Sequence, residues 1–159
     1  MDQKFSSTGK HEREFEFTEK DFGQVCRLIY DHAGIALKSS KRDMVYSRLA
    51  RRLRVTGVDN FRDYLALLEG NHPAEWEAFV NALTTNLTSF FREPHHFPLL
   101  AEHALKHKGR QPFSIWCSAA STGEEPYSIA MTLADAFGSF TPPVAIIASD
   151  VDTNVLAKA

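Results

Sequence analysis

Ser114 to Ala130 reads S-I-W-C-S-A-A-S-T-G-E-E-P-Y-S-I-A. The spacing predicts a short buried strand from Ile115 to Ser118, a loop of small residues from Ala119 to Gly123, and a helix with Pro126 in its first turn. A strand that enters a tight small-residue loop and leaves as a helix is how α/β sheets place ligands at strand C-termini. A second apolar strand is predicted over Val144 to Ala148, ending in Ser149-Asp150. An acid at such a strand tip is where adenosine ribose hydroxyls are gripped.

The loop also bears on the ligand. Gly123 is its one glycine, so the G-x-G-x-x-G dinucleotide fingerprint is absent. Glu124 and Glu125 stand where a helix N-terminus would otherwise hold a pyrophosphate. Carboxylates there repel phosphate but suit a ligand carrying an ammonium and a sulfonium, such as S-adenosylmethionine. The alternative is that both glutamates simply complement the helix dipole.

Working outward, the 159-residue chain has room for one domain or two small ones. Its hydrophobic share of 43% and charged share of 24% are those of an ordinary globular protein. No apolar run approaches a membrane span, and the polar start M-D-Q-K-F-S-S-T-G-K does not read as a signal peptide. Cys26 and Cys117 fall on a predicted helix and a predicted strand, as reduced, packed thiols would. The expected location is cytoplasmic.

Residues 1–16 are polar without an apolar period and are expected to be a disordered tail. Thr18 with Asp21 predicts a capped helix using Phe22, Val25 and Ile29, ended by Gly34. Ser40 with Asp43 repeats that signature for a second helix to about Val55, with Val45, Leu49 and Leu53 inward. Third and fourth helices follow from near Asp59 (Phe61, Tyr64, Leu65, Leu68) and from Pro73 (Trp76, Phe79, Val80, Leu83). These make a small bundle over residues 17–85.

From Thr84 to Glu93 the run T-T-N-L-T-S-F-F-R-E breaks the helical period and reads as a connector. A further helix is expected from about Pro94 to Lys108, giving a connector-and-helix segment over 86–113. Residues 114–159 then form the strand, the loop, a helix to about Phe137, the second strand, and a helix opened by Thr153. The fold class is therefore α plus α/β.

Charge is uneven. The net charge is −2, but residues 38–54 carry +6 and the remainder −8. Such asymmetry points to a local acidic partner and away from nucleic acid. Within that segment Lys41, Arg48, Arg51 and Arg52 fall in an arc of roughly 100° beside the apolar face. The stripe can track a row of carboxylates, or it can be a solvated face. The histidine pairs His103/His107 and His95/His96 lack a carboxylate or thiolate set at ligand spacing, so no metal site is expected.

These motifs together resemble the CheR-type chemotaxis receptor methyltransferases, S-adenosylmethionine-dependent protein-glutamate O-methyltransferases. The matching runs are L-T-T-N-L-T-S-F-F-R-E (83–93) with the following H-H-F, A-A-S-T-G-E-E-P-Y-S-I-A (119–130) and A-S-D-V-D-T (148–153). H-A-G-I-A-L (32–37) and the R-L-A-R-R-L-R helix are similar too, so the likeness covers residues 18–159.

The resemblance implies a helical receptor-binding domain followed by the first β-α-β portion of a Rossmann-like domain for S-adenosylmethionine. It implies that Asn86, Thr88, Arg92, Glu125 and Asp150 bind the cofactor, with Arg92 also beside the transferred methyl as the catalytic residue. It further implies that Lys41, Arg48, Arg51 and Arg52 meet the cytoplasmic helical region of chemoreceptors, without membrane insertion. The reaction implied is an SN2-type methyl transfer to a glutamate carboxylate, leaving S-adenosylhomocysteine. A glutamate is already ionised at neutral pH, so no general base is needed.

The family continues with further strands, which makes this chain a fragment, a truncation or a shortened relative, with activity of the 159 residues alone in question. A half-built sheet is also expected to pair with a second copy through residues 114–159. Two other readings stand beside the methyltransferase: a non-catalytic receptor-binding or regulatory module, and a nucleotide-binding α/β protein.

Overall fold

A computed structural model describes residues 13–70, 72–107, 109 and 113–159. The chain forms two compact units, Met1–Trp76 and Glu77–Ala159, and the division between them falls inside the helix Pro73–Leu83.

The first unit is helical. Helix α1 (Glu19–Ala33) has the capping box expected of Thr18 and Asp21, and stops at Gly34, whose φ of 69° is left-handed backbone that glycine adopts freely. Helix α2 (Arg42–Thr56) departs from expectation at its start. Ser39–Lys41 form a 3-10 turn instead, and Ser40 caps nothing, since the N-cap position of α2 is Lys41 without a side-chain bond. Helix α3 (Phe61–Glu69) is capped by Asn60, whose Oδ1 accepts the Asp63 N–H at 2.9 Å. Helix α4 (Pro73–Leu83) begins in this unit and ends in the next.

The inward faces read from the apolar period are buried: Phe22, Val25 and Ile29, then Val45, Leu49 and Leu53, then Phe61, Tyr64, Leu65 and Leu68. Of the expected disordered tail, residues 1–12 lie outside the described residues. Residues 13–16 correct that expectation, because aromatic burial holds them. Phe15 packs edge-on to Phe61 with ring centroids 6.5 Å apart, and Phe17 lies 4.4 Å from the same ring. Arg13 and Glu14 then pair with Asp43 and Arg54 of α2.

The second unit is α/β. Helix α5 (His96–Lys106) precedes strand β1 (Phe113–Cys117), helix α6 (Glu124–Phe137), strand β2 (Val144–Ala148) and helix α7 (Thr153–Leu156). The strands are parallel, with Phe113 opposite Val144 and Cys117 opposite Ala148. Alternation decides the two faces of the sheet. Phe113, Ile115, Val144 and Ile146 pack on a core of Phe97, Ala104, Cys117, Ala120, Ile129 and Leu133. The other face shows Trp116 and Ile147, 70% and 58% exposed. Among the described residues no helix is long and apolar enough to cross a membrane.

Candidate functional site

Both strands end at the same edge of the sheet, and backbone bonds bind their loops together. The Ser149 N–H donates to the Cys117 carbonyl at 2.9 Å, and the Ala120 N–H to the Ser149 carbonyl at 2.9 Å. The loop then turns through Ser121, a non-glycine residue with φ of 49°. Left-handed backbone there costs roughly 1–2 kcal/mol and needs an external hold. Asp150 supplies it: its Oδ2 accepts the Ser121 N–H at 2.8 Å, while Oδ1 accepts the Asp152 N–H at 2.9 Å. Gly123 ends the loop at φ 100°, where a Cβ would meet the Tyr127 ring at 3.2 Å.

The donor and acceptor chemistry of this edge fits S-adenosylmethionine. Asp150 is half-buried, and each of its oxygens has one backbone partner and room for another. A carboxylate fixed in that way is ready to accept ribose hydroxyls. The Ser121 hydroxyl is buried without a partner, a second unused polar group beside it. Residues 118–125 contain no Lys or Arg and two carboxylates, which does not suit a phosphate. Glu125 is exposed in the first turn of α6. Burial, and then the Glu125 charge, push the Cys117 thiol up, which opposes a thiolate there.

The connector reaches the same edge through Asp152. Asn86 Nδ2 donates to Asp152 Oδ2 at 2.6 Å, and Thr84 Oγ1 donates to the same oxygen at 2.5 Å. Downstream, the Phe91 N–H donates to the fully buried Ser128 hydroxyl at 2.9 Å, tying the connector to α6. Between those anchors Thr88 is half-buried, and Arg92 is exposed with Nη1 donating to the Leu87 carbonyl at 3.0 Å. Phe91 and Glu93 have φ of 53° and 55°. Two non-glycine residues held left-handed within three positions mark a segment set by its surroundings.

The structure thus brings Asn86 to Asp150 by way of Asp152, and places Glu125 beside Cys117. Thr88 and Arg92 lie on the connector between its two pins. Sequence reasoning missed Asp152, Ser121 and Ser128. Thr153 was expected to open the last helix, but Asp152 is its N-cap, accepting from Asn154 and Val155. The D-T-N order before an apolar residue is the signal that could have shown it.

In the first unit the basic residues divide. Lys41 and Arg51 are exposed and Arg48 is half-buried. Arg52, also expected in the receptor stripe, is bonded to Glu75 with Nε–Oε1 at 3.0 Å and Nη2–Oε2 at 2.6 Å. Arg42 and Arg54 are engaged likewise, with Glu19 and Glu14.

Comparison with known proteins places both units. Residues 20–84 match the family described as CheR methyltransferase, all-alpha domain, and residues 86–159 match CheR methyltransferase, SAM binding domain. A chemotaxis protein methyltransferase of Salmonella typhimurium is 59% identical over 143 residues, covering 89% of this chain and 49% of the relative. Chemotaxis protein methyltransferase 2 of Pseudomonas aeruginosa is 57% identical over 145 residues, 91% of this chain and 51% of the relative. Its Vibrio cholerae namesake is 37% identical over 152 residues, 92% and 53% of the two chains. The chain spans about half the length of these curated relatives.

Proposed function

This chain belongs to the CheR methyltransferase family, and from that premise we propose that its protein transfers a methyl group from S-adenosylmethionine to glutamate side chains of chemoreceptors in the cytoplasm. The observation that carries the cofactor part is the Asp150 carboxylate, fixed at the tip of β2 by two backbone N–H groups with capacity left on both oxygens.

S-adenosylmethionine, when bound, supplies an electrophilic methyl group on a positively charged sulfur. The chain's own residues bind and orient. Asp150 accepts from the ribose hydroxyls, and Asn86 and Thr88 contribute polar contacts from the connector. Glu125 puts negative charge near the cationic part of the ligand. Arg92 holds a carboxylate with its planar fork, the cofactor's own or the substrate's. The acceptor glutamate arrives ionised, so no residue is required to remove a proton. Rate enhancement then comes from alignment and from stripping water off the carboxylate.

The exposed Lys41 and Arg51, with Arg48, supply the charge that would meet acidic receptor helices. The decisive experiment uses the protein at its full encoded length. Radiolabelled methyl should pass to a chemoreceptor cytoplasmic fragment. S-adenosylhomocysteine, the expected product, should compete for the site where NAD and ATP do not. Failure of S-adenosylhomocysteine to bind would overturn this reading; binding without transfer would leave the regulatory-module alternative.

A further inference from the structure

Asp152 is 2% exposed, and a carboxylate that deep is costly unless its lone pairs are used. Here they are filled from two distant parts of the chain. Oδ2 accepts from Thr84 Oγ1 at 2.5 Å and Asn86 Nδ2 at 2.6 Å; Oδ1 accepts from the N–H groups of Asn154 at 3.0 Å and Val155 at 3.4 Å. A carboxylate has about four acceptor sites, so no capacity remains for a ligand. Its own N–H, meanwhile, donates to Asp150 Oδ1 at 2.9 Å.

Resting on the methyltransferase reading above, we propose that Asp152 is a positioning residue that sets Asn86 of the connector in register with Asp150 at the tip of β2. Capping α7 does not explain the choice of a carboxylate. Asparagine caps a helix as well as aspartate does. In the arrangement seen here an asparagine that capped α7 with its oxygen would turn its Nδ2 toward Asn86 Nδ2, donor against donor, unless Asn86 turned its amide over and so changed what the connector presents to a ligand. The carboxylate as placed serves the connector as well as the helix. Burial opposes its ionisation, but the bonds from Thr84, Asn86, Asn154 and Val155 outweigh burial and hold the carboxyl below the usual carboxylate range. The link is therefore intact at neutral pH.

The test compares Asp152→Asn, Thr84→Val and Asn81→Ala with the unsubstituted protein at full encoded length. Asn81 bonds the N–H and hydroxyl of Thr153, so its loss disturbs the start of α7 without breaking the Asp152 bonds to the connector. The readouts are S-adenosylhomocysteine affinity by calorimetry, KM and kcat for methyl transfer, melting temperature, and hydrogen exchange over residues 84–92. Asp152→Asn should weaken S-adenosylhomocysteine about tenfold to a hundredfold, the scale of a lost charge-assisted bond, and raise KM more than it lowers kcat. Connector exchange should quicken in parallel.

Thr84→Val should act in the same direction by a smaller factor, whereas Asn81→Ala should lower the melting temperature and leave affinity alone. A lower melting temperature for Asp152→Asn with unchanged affinity and connector exchange would overturn the proposal. Should that variant fail to fold, Thr84→Val decides, since it leaves the α7 cap untouched; unchanged affinity and exchange there count against the proposal equally. If the unsubstituted protein does not bind S-adenosylhomocysteine, the functional reading falls first, and that is visible before any variant is compared.

Discussion

Arg52 and Glu75 form a two-point bond, Nε to Oε1 at 3.0 Å and Nη2 to Oε2 at 2.6 Å, with side chains 23% and 11% exposed. Tyr64 adds a third contact, its hydroxyl donating to Glu75 Oε1 at 2.7 Å. Breaking such a pair from one side leaves a buried carboxylate without its counter-charge, which costs about 3 kcal/mol. Arg52→Ala should therefore lower the unfolding free energy by about that amount, and Arg52→Glu by more. Urea denaturation of each variant measures it. A loss below about 1 kcal/mol, the range of exposed pairs, would return Arg52 to the surface stripe.

Tyr64 makes the same cluster sensitive to alkali. Burial first, then its bond to Glu75 and the charge of Glu75, push the hydroxyl well above the ordinary tyrosine range. A raised folded-state pKa means that the contribution is fully present below the unfolded value, near 10, and is lost as pH rises beyond it. Tyr64→Phe should cost about 1.5–3 kcal/mol at neutral pH. The gap between the two proteins should narrow at about pH 11, above the ordinary tyrosine pKa. Parallel denaturation curves at both pH values check the sign.

The receptor surface is testable without touching Arg52. Reversing Arg48 and Arg51 to Glu should abolish binding to an acidic receptor helix while circular dichroism remains that of the parent, because the inward face of α2 is Val45, Leu49 and Leu53. Binding by the parent should weaken as salt takes the Debye length below about 10 Å. An affinity indifferent to both salt and charge reversal would make the stripe a solvated face.

At the cofactor edge, Asp150→Asn keeps shape and removes charge, and it also presents a donor to the Ser121 or Asp152 N–H. S-adenosylhomocysteine binding should weaken by about 1.5–3 kcal/mol. Arg92→Ala should cut turnover more than affinity if its fork holds the substrate glutamate, and both together if it holds the cofactor carboxylate. Calorimetry beside single-turnover kinetics separates these, and no change in either variant would unseat the site.

Much of the fold was legible because its signals are local. The capping box of Thr18 and Asp21, the stop at Gly34, the limits of β2 and the end of α6 at Phe137 each depend on contacts within a turn or on strand alternation. The same kind of signal misled at Ser40, which lies inside a 3-10 turn and does not cap the α-helix that starts at Arg42. Local propensity proposes such starts, and the packing of Phe17, Tyr46 and Phe61 around the entry to α2 is not written in it.

By itself the sequence determined the order of elements, the family, and the acid at the tip of β2, since spacing and residue type carry all three. Tertiary structure alone decided which charges are spent. Arg52 finds Glu75 across 23 residues, and Asp152 finds Thr84 and Asn86 across 68 and 66. A side chain's hydrogen-bond partner is set by what the chain path brings within 3 Å of it, and distance along the sequence has no part in that.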